Sequence, residues 1–301
     1  MLKRAAALGQ RSRDVLQEAE DTLHRDLRNL DDETPRRSNR DVQVTIFVAT
    51  QMHLVAIEDA GVVATMSLGL SLGEYAHVTH IGGLGRADTL RLVDTRGDLY
   101  DGGPPGKMVA VFPMSFEELA EVIASVLQGE GSAGAVVEIV NVNSPTQHVI
   151  AGQREQVDRV LAVLEREHLV QTVVIDDRIP MHSSLFEPVA HRFRTHLESA
   201  PWGKVRLPYR PNVEGRVVED PSAADFSDRL ARHVHRPVQW RASVERCISE
   251  CPDVVFVEVG PGRILSNLLQ KRWVPNVRMA TDSGDDLRAS IDGIARKLGH
   301  A

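Results

Sequence analysis

A serine between two glycines follows a short apolar run, and this arrangement constrains the fold more than any other feature of the chain. Val62 to Leu68 is almost wholly apolar, as expected of a strand buried on both faces. It leads into Gly-Leu-Ser-Leu-Gly at 69–73, and a helical pattern follows. A sharp strand-to-helix turn exposes the serine hydroxyl, and the glycines relieve crowding. The pattern predicts an α/β fold with Ser71 as a nucleophile, although Gly-x-Ser-x-Gly also occurs by chance in unrelated chains.

The helix predicted after Ser71 offers its N-terminus to a reacting carbonyl group. The Leu72 backbone N–H is therefore a candidate donor to a tetrahedral oxyanion. A serine is a poor nucleophile at neutral pH unless a base takes its proton. The chain has 12 histidines, so composition does not choose the base.

The spacing of apolar residues also predicts how the chain is organised. Helices are expected at 10–30, 41–58 and 86–97, and Asp-Gly-Gly-Pro-Pro-Gly at 101–106 is the clearest break. The order βαββαβ over 107–176 is that of a ferredoxin-like unit. We expect this unit to be a small subdomain inserted into a larger α/β domain formed by 1–106 and 177–301.

Charge and composition exclude several classes of protein. Among 301 residues, 35 Lys and Arg against 42 Asp and Glu give a net charge of −7, which argues against a nucleic-acid binder. We find no signal peptide and no apolar stretch long enough for a membrane span. The two cysteines, four residues apart, suit neither a disulfide framework nor a zinc site. We expect a cytoplasmic protein without a metal.

Four ordered motifs resemble those of the malonyl-CoA:acyl-carrier-protein transacylases, the acyltransferases of fatty-acid and polyketide synthesis. GLSLGEYAHVTHIGGLGRADTLRLVDTRGDL at 69–99 is similar to the family's G-H-S-x-G-E motif and its T/A-x-R-L-V-x-x-R-G stretch. NVNSPTQHVIAG at 141–152 resembles N-x-N-S-P-x-Q-x-V-I-x-G, and IPMHSSLFEPV at 179–189 resembles P-x-H-S-x-x-M-x-P. PVQW at 237–240 and VFVEVGPGRILSNLL at 255–269 resemble the closing segments. The resemblance covers about residues 10–272.

The resemblance implies an α/β-hydrolase-like parallel-sheet domain with an inserted ferredoxin-like subdomain, and it assigns roles to individual residues. Ser71 matches the nucleophile and His182 the general base. Arg96 matches the arginine that grips the free carboxylate of malonyl, a group that a guanidinium can hold through two hydrogen bonds. Asn143 and Gln147 match polar residues near the family's pocket. For both residues, stabilisation of the turn is an equal alternative.

Several positions depart from the family pattern. Leu70 replaces the usual histidine before the serine and favours the free-standing acyltransferases that serve polyketide synthases. Met181 occupies a position that influences the choice of extender unit, and its bulk favours malonyl. His233 stands where glutamine or asparagine is common; in the family the backbone carbonyl of this residue orients the catalytic histidine.

The family's opening F-P-G-Q-G-S-Q strand and loop has no counterpart in the printed chain. Three explanations stay open: a start placed too late, trimming, or a protein that lacks a central strand and one oxyanion donor. Loss of one such donor typically costs about a hundred- to a thousand-fold in rate.

The implied function is transfer of malonyl from malonyl-CoA to the phosphopantetheine thiol of an acyl carrier protein through a Ser71 acyl-enzyme, with no cofactor. Two alternatives remain open at this point. An acyl hydrolase would use water in place of the carrier thiol, and Arg96 argues against it. A degenerate, non-catalytic relative that binds a carrier protein is supported only by the absent opening segment.

Overall fold

The computed structural model describes residues 1–31, 38–128 and 134–299. Its twelve α-helices in these ranges are α1 Leu2–Ala6, α2 Gln10–Leu23, α3 Asn39–Asp59, α4 Gly73–Ile81, α5 Arg86–Asp101, α6 Phe116–Leu127, α7 Arg154–Glu167, α8 Glu187–Glu198, α9 Ala223–His233, α10 Trp240–Glu250, α11 Ile264–Leu268 and α12 Leu287–Lys297. The strands are β1 Lys107–Phe112, β2 Val137–Ser144, β3 Gln147–Gly152, β4 Gln171–Asp176, β5 Phe256–Glu258 and β6 Arg278–Ala280.

The largest apolar core is built by helices on either side of α3. Helix α3 buries residues all round its surface, because α1, α2 and α5 pack along it and α12 contacts it as well. Helices α8 and α9 close the core from the C-terminal half of the chain. No helix among the described residues is long and apolar enough to span a membrane.

A second core lies under a four-stranded antiparallel sheet of order β2-β3-β1-β4. Helices α6 and α7 cover one face of this sheet through alternate apolar residues such as Val109, Val111 and Ile150. Helix α6 begins at a capping box in which Ser115 and Glu118 satisfy each other's backbone N–H groups. The observed element order over 107–176 is βαββαβ; the exact division into two domains stays a prediction.

The prediction of a buried strand at Val62–Leu68 is wrong. The segment has no regular secondary structure and pairs with no strand among the described residues, and the side chain of Val63 is 83% exposed. None of the backbone N–H groups of residues 63–70 finds an acceptor in the described chain. An apolar run becomes a strand only when a neighbouring strand supplies hydrogen bonds. The α/β class is confirmed, while the observed parallel sheet consists of β5 and β6.

The helix predicted at 10–30 also ends earlier than expected. His24 adopts a left-handed conformation with φ of 52°, and helix α2 therefore stops at Leu23. A short 3₁₀ turn follows at Arg28–Asp31. The buried Glu20 accepts a hydrogen bond from the Leu27 N–H across this break, so a tertiary contact compensates for the lost helical bonds.

Candidate active site

Ser71 lies on a strained turn directly before α4. Its φ of 51° is in the left-handed region, which a residue with a side chain rarely adopts. Gly69 is required by a close approach, because an added Cβ would lie 2.0 Å from the carbonyl oxygen of Gly73. A Cβ on Gly73 would meet nothing within 4 Å. Crowding therefore explains the first glycine of the motif and not the second.

Asn212 holds this turn from a distant part of the chain. Its Oδ1 accepts the Ser71 N–H at 2.7 Å, and its Nδ2 donates to the Gly69 carbonyl at 2.6 Å. The side chain is buried, so both bonds are protected from water. Asn212 lies 141 residues from Ser71 and outside the four family motifs, so the sequence alone does not reveal its role.

His182 is placed against Ser71 by a loop that follows β4. Its φ of 64° is also left-handed, and its N–H donates to the Val234 carbonyl at 3.1 Å. The ring Nδ1 lies 2.6 Å from the His233 carbonyl oxygen and can only donate to it. Nε2 then carries the lone pair and faces the Ser71 Oγ at 2.8 Å. This is the tautomer that a general base requires.

A second serine–histidine contact nearby has the opposite tautomer. Ser67 Oγ lies 2.7 Å from His77 Nδ1. His77 Nε2, however, accepts the backbone N–H of Arg210 at 3.0 Å, so its Nδ1 carries the proton. His77 therefore donates to Ser67 and cannot take its proton.

The environment of His182 keeps the imidazole neutral. Burial lowers its pKa well below the usual value, and the neighbouring His233 and Arg96 side chains lower it further. The hydrogen bond to the His233 carbonyl opposes this shift. A lowered pKa means that the neutral, proton-accepting form persists from neutral pH down into the acidic range.

Arg96 is a buried cation without an anionic partner. Its side chain on α5 is 2% exposed, and no carboxylate within the described ranges forms an ion pair with it. The guanidinium carbon lies 4.2 Å from the centre of the Tyr100 ring, and Nη1 donates to Gln43. Among the described residues, Nε and Nη2 have no hydrogen-bond partner. These two nitrogens form one edge of the guanidinium, which is the edge that binds a carboxylate through two parallel bonds.

Two residues of α3 extend this part of the site. The Gln43 amide that holds Arg96 donates in turn to Asn39, and Asn39 Nδ2 lies 3.9 Å from the Met181 sulfur. Met181 is half-buried and packs against the helical core and against a separate apolar cluster of the small sheet that contains Met108 and Val149. The family motifs predict a role for Met181, whereas Gln43 and Asn39 lie outside these motifs and were missed.

The remaining predicted site residues lie in different surroundings. The Leu72 N–H has no acceptor in the described chain, so it is available to an oxyanion. Leu70 packs against an apolar cluster that includes Val238 and Trp240. Asn143 is buried on β2, and in the described chain its Oδ1 has no hydrogen-bond partner, so it is not bonded to Ser71. No cluster of metal-binding side chains occurs in residues 1–31, 38–128 and 134–299.

Residues 3–281 match the model of a family described as the acyl transferase domain. The chain belongs to this family. It is 31% identical over 217 residues to the malonyl CoA-acyl carrier protein transacylase of Salmonella typhimurium, covering 71% of this chain and 68% of that protein. The resemblance drawn from the four motifs is thereby confirmed.

The chain is also similar to a polyketide biosynthesis protein and to a solved structure of a malonyl-transacylase. The polyketide biosynthesis protein ThaF of Burkholderia thailandensis is 32% identical over 273 residues, which are 88% of this chain and 22% of that protein. A structure of a type II PKS acyl-carrier protein in complex with its malonyl-transacylase superposes with a TM-score of 0.85 at 27% identity. That match covers 97% of this chain and 94% of the other.

Proposed function

We propose that this protein transfers a malonyl group from malonyl-CoA to the phosphopantetheine thiol of an acyl carrier protein, with Ser71 as the covalent carrier. One observation supports this most strongly: Ser71 and His182 are in hydrogen-bond contact, and the buried Arg96 is close enough for its charge to lower the pKa of His182. In the described chain the carboxylate-binding edge of Arg96 has no partner. Relatives named as malonyl CoA-acyl carrier protein transacylases support the same substrate and acceptor.

In the first half-reaction His182 Nε2 takes the Ser71 proton as the Oγ attacks the malonyl thioester. The Leu72 N–H stabilises the oxyanion of the tetrahedral intermediate. When this intermediate collapses, the C–S bond breaks and the CoA thiol leaves with the proton held by His182. Arg96 binds the malonyl carboxylate through Nε and Nη2 and so orients the thioester towards Ser71.

The second half-reaction repeats these steps with the phosphopantetheine thiol as nucleophile. His182 takes the thiol proton, the sulfur attacks the Ser71 ester, and the serine oxygen leaves with that proton. This chemistry needs no metal or redox group, because the acyl group arrives and departs as a thioester. We place the reaction in the cytoplasm, where CoA thioesters are available.

The direct test of this function compares two acceptors of the malonyl group. The protein, malonyl-CoA and a carrier protein are incubated, and malonyl-carrier and free malonate are both quantified. We expect malonyl on the carrier that bears phosphopantetheine, none on the carrier that lacks it, and only slow malonate release. Malonate release that is fast and independent of the carrier would instead identify an acyl hydrolase.

Selectivity for malonyl is expected to depend on Arg96. Hydrogen bonds to charged groups contribute about 1.5 to 3 kcal/mol, which corresponds to roughly ten- to a hundred-and-fifty-fold in rate. Arg96→Ala should lower the ratio of the malonyl to the acetyl specificity constant by about this factor. Arg96→Lys should recover only part of it, because an ammonium group lacks the two-pronged edge.

Arg91→Ala is the matched control, since Arg91 lies on the same helix but is exposed and paired with Asp88. Its malonyl-to-acetyl ratio should equal that of the wild type. An unchanged ratio in Arg96→Ala would show that Arg96 does not contact the substrate carboxylate.

A further inference from the structure

A second buried charge cluster lies directly behind the catalytic histidine. Glu74, on the first turn of α4, is fully buried, and His233, at the end of α9, is 1% exposed. Glu74 Oε2 lies 2.9 Å from His233 Nδ1. The His233 ring stacks on the His182 ring with centroids 4.8 Å apart and planes 16° apart. The acyl-transfer steps described above make no use of either side chain.

The surroundings of Glu74 favour its ionised form. Its carboxylate accepts hydrogen bonds from the Tyr209 hydroxyl and, at 3.3 Å, from the Asn212 N–H. It also lies at the positive end of α4, where the helix dipole favours a negative charge. A buried carboxylate needs a cationic partner, and in the described chain the only basic group within ion-pair distance of Glu74 is His233.

The contact between Glu74 and His233 is an electrostatic attraction and not a well-aligned hydrogen bond. His233 Nδ1 is close to the carboxylate oxygen, yet it is not aligned to donate to it, and Nε2 has no partner in the described chain. Nε2 would be equally unpartnered in a neutral or a charged ring, so it does not distinguish the two forms. Coulomb attraction, which does not depend on alignment, is the interaction that this geometry supports.

We propose that Glu74 and His233 form a buried ion pair that sets the protonation state of His182 and thereby the pH range in which Ser71 is acylated. Glu74 keeps His233 protonated, and the stacked imidazolium opposes a second positive charge on His182. His233 is therefore a positioning residue through its carbonyl and an electrostatic one through its ring. The proposal rests on the proposed function, since it takes His182 as the base of Ser71.

Other ionisable groups lie near the stacked rings of His182 and His233. Their effect on His182 is the same in the wild type and in every variant. Arg96 of α5 and His235, beyond α9, lower the pKa of His182. Tyr75 of α4 and Tyr209 are buried, and burial raises their pKa, so both stay neutral. Glu138 of β2 accepts the Ser184 N–H close to His182. Because none of these groups is changed below, a shift in the profile reports on Glu74 and His233.

The test measures Ser71 acylation by p-nitrophenyl acetate between pH 4 and 8, in pH jumps of seconds so that the fold persists. This ester needs no malonyl recognition, so the result is independent of substrate selectivity. His233→Gln keeps the backbone carbonyl but removes the positive charge and leaves the Glu74 carboxylate without its partner. The acid limb of the profile should move up by about 1 to 3 pH units. In Glu74→Gln the carboxylate is removed and His233 loses its proton, so both charges disappear. The acid limb should therefore shift less than in His233→Gln.

The matched control is His53→Gln, a replacement of a buried histidine that is bonded to Thr281 away from the site. Its acid limb should coincide with that of the wild type. An acid limb that stays in place in His233→Gln, whatever happens to the plateau rate, would overturn the ion pair. The ion pair would also be overturned if the acid limb of Glu74→Gln moved to lower pH, because that shift would mean that His233 is neutral in the wild type.

Two further measurements keep the outcomes separate. If His233→Gln does not fold, ¹⁵N NMR of the wild-type ring at pH 7.5 decides: two protonated nitrogens on His233 support the pair, and a neutral tautomer overturns it. If the wild type shows no acylation burst that Ser71→Ala removes, the proposed function fails; a burst with an unshifted limb overturns the ion pair alone.

Discussion

Replacement of Ser71 by alanine is expected to abolish malonyl labelling of the protein and to reduce transfer by roughly a million-fold, as when a serine–histidine site loses its nucleophile. The Ser71 Oγ is the atom that faces His182 Nε2 at 2.8 Å, and alanine has no oxygen to carry the ester. Intact-protein mass spectrometry after incubation with malonyl-CoA should show an adduct on the wild type and none on the variant.

Ser67→Ala is a demanding control for this experiment. Ser67 is also hydrogen-bonded to a histidine, but His77 has the tautomer that donates to it. Burial lowers the pKa of His77 to about 3, so this ring stays neutral. Ser67→Ala should therefore label like the wild type. An adduct that persists in Ser71→Ala, or one that Ser67→Ala removes, would contradict the assignment.

Replacement of His182 by alanine is expected to slow acylation of Ser71 by roughly a hundred- to ten-thousand-fold, the usual contribution of a general base. The affinity for malonyl-CoA should change much less, because the ring contacts the serine and the backbone of His233. Rapid-quench measurement of acyl-enzyme formation at several malonyl-CoA concentrations separates the rate from the affinity.

His53→Ala controls for the removal of a buried imidazole, since His53 is 2% exposed and contacts Thr281. Its rate of acylation should match that of the wild type. If His182→Ala forms the acyl-enzyme at the normal rate, another of the 12 histidines supplies the base.

Local features of the site could be predicted because they depend on neighbouring residues. The turn at Ser71 follows from Gly69, whose missing side chain allows the backbone to close onto Gly73. The capping box of α6 follows from Ser115 and Glu118, three residues apart. Such contacts lie within one turn, so the order of residues is enough to specify them.

Features that need a distant neighbour were predicted incorrectly or missed. Val62–Leu68 has the composition of a buried strand, but no strand in the described chain pairs with it. Asn212, which holds the turn at Ser71 through two hydrogen bonds, lies 141 residues away and was missed. Apolar periodicity records which side chains avoid water, and it does not record whether a hydrogen-bonding partner is present.

By itself, the sequence determined the α/β class, the position of Ser71 on its turn and, through the family motifs, the candidates His182 and Arg96. Only the tertiary structure decided the tautomer of His182, the hold of Asn212 on the turn and the ionic contact between Glu74 and His233. The reason is physical: hydrogen-bond direction and charge neutralisation depend on atoms brought together by the path of the whole chain, across as many as 141 residues.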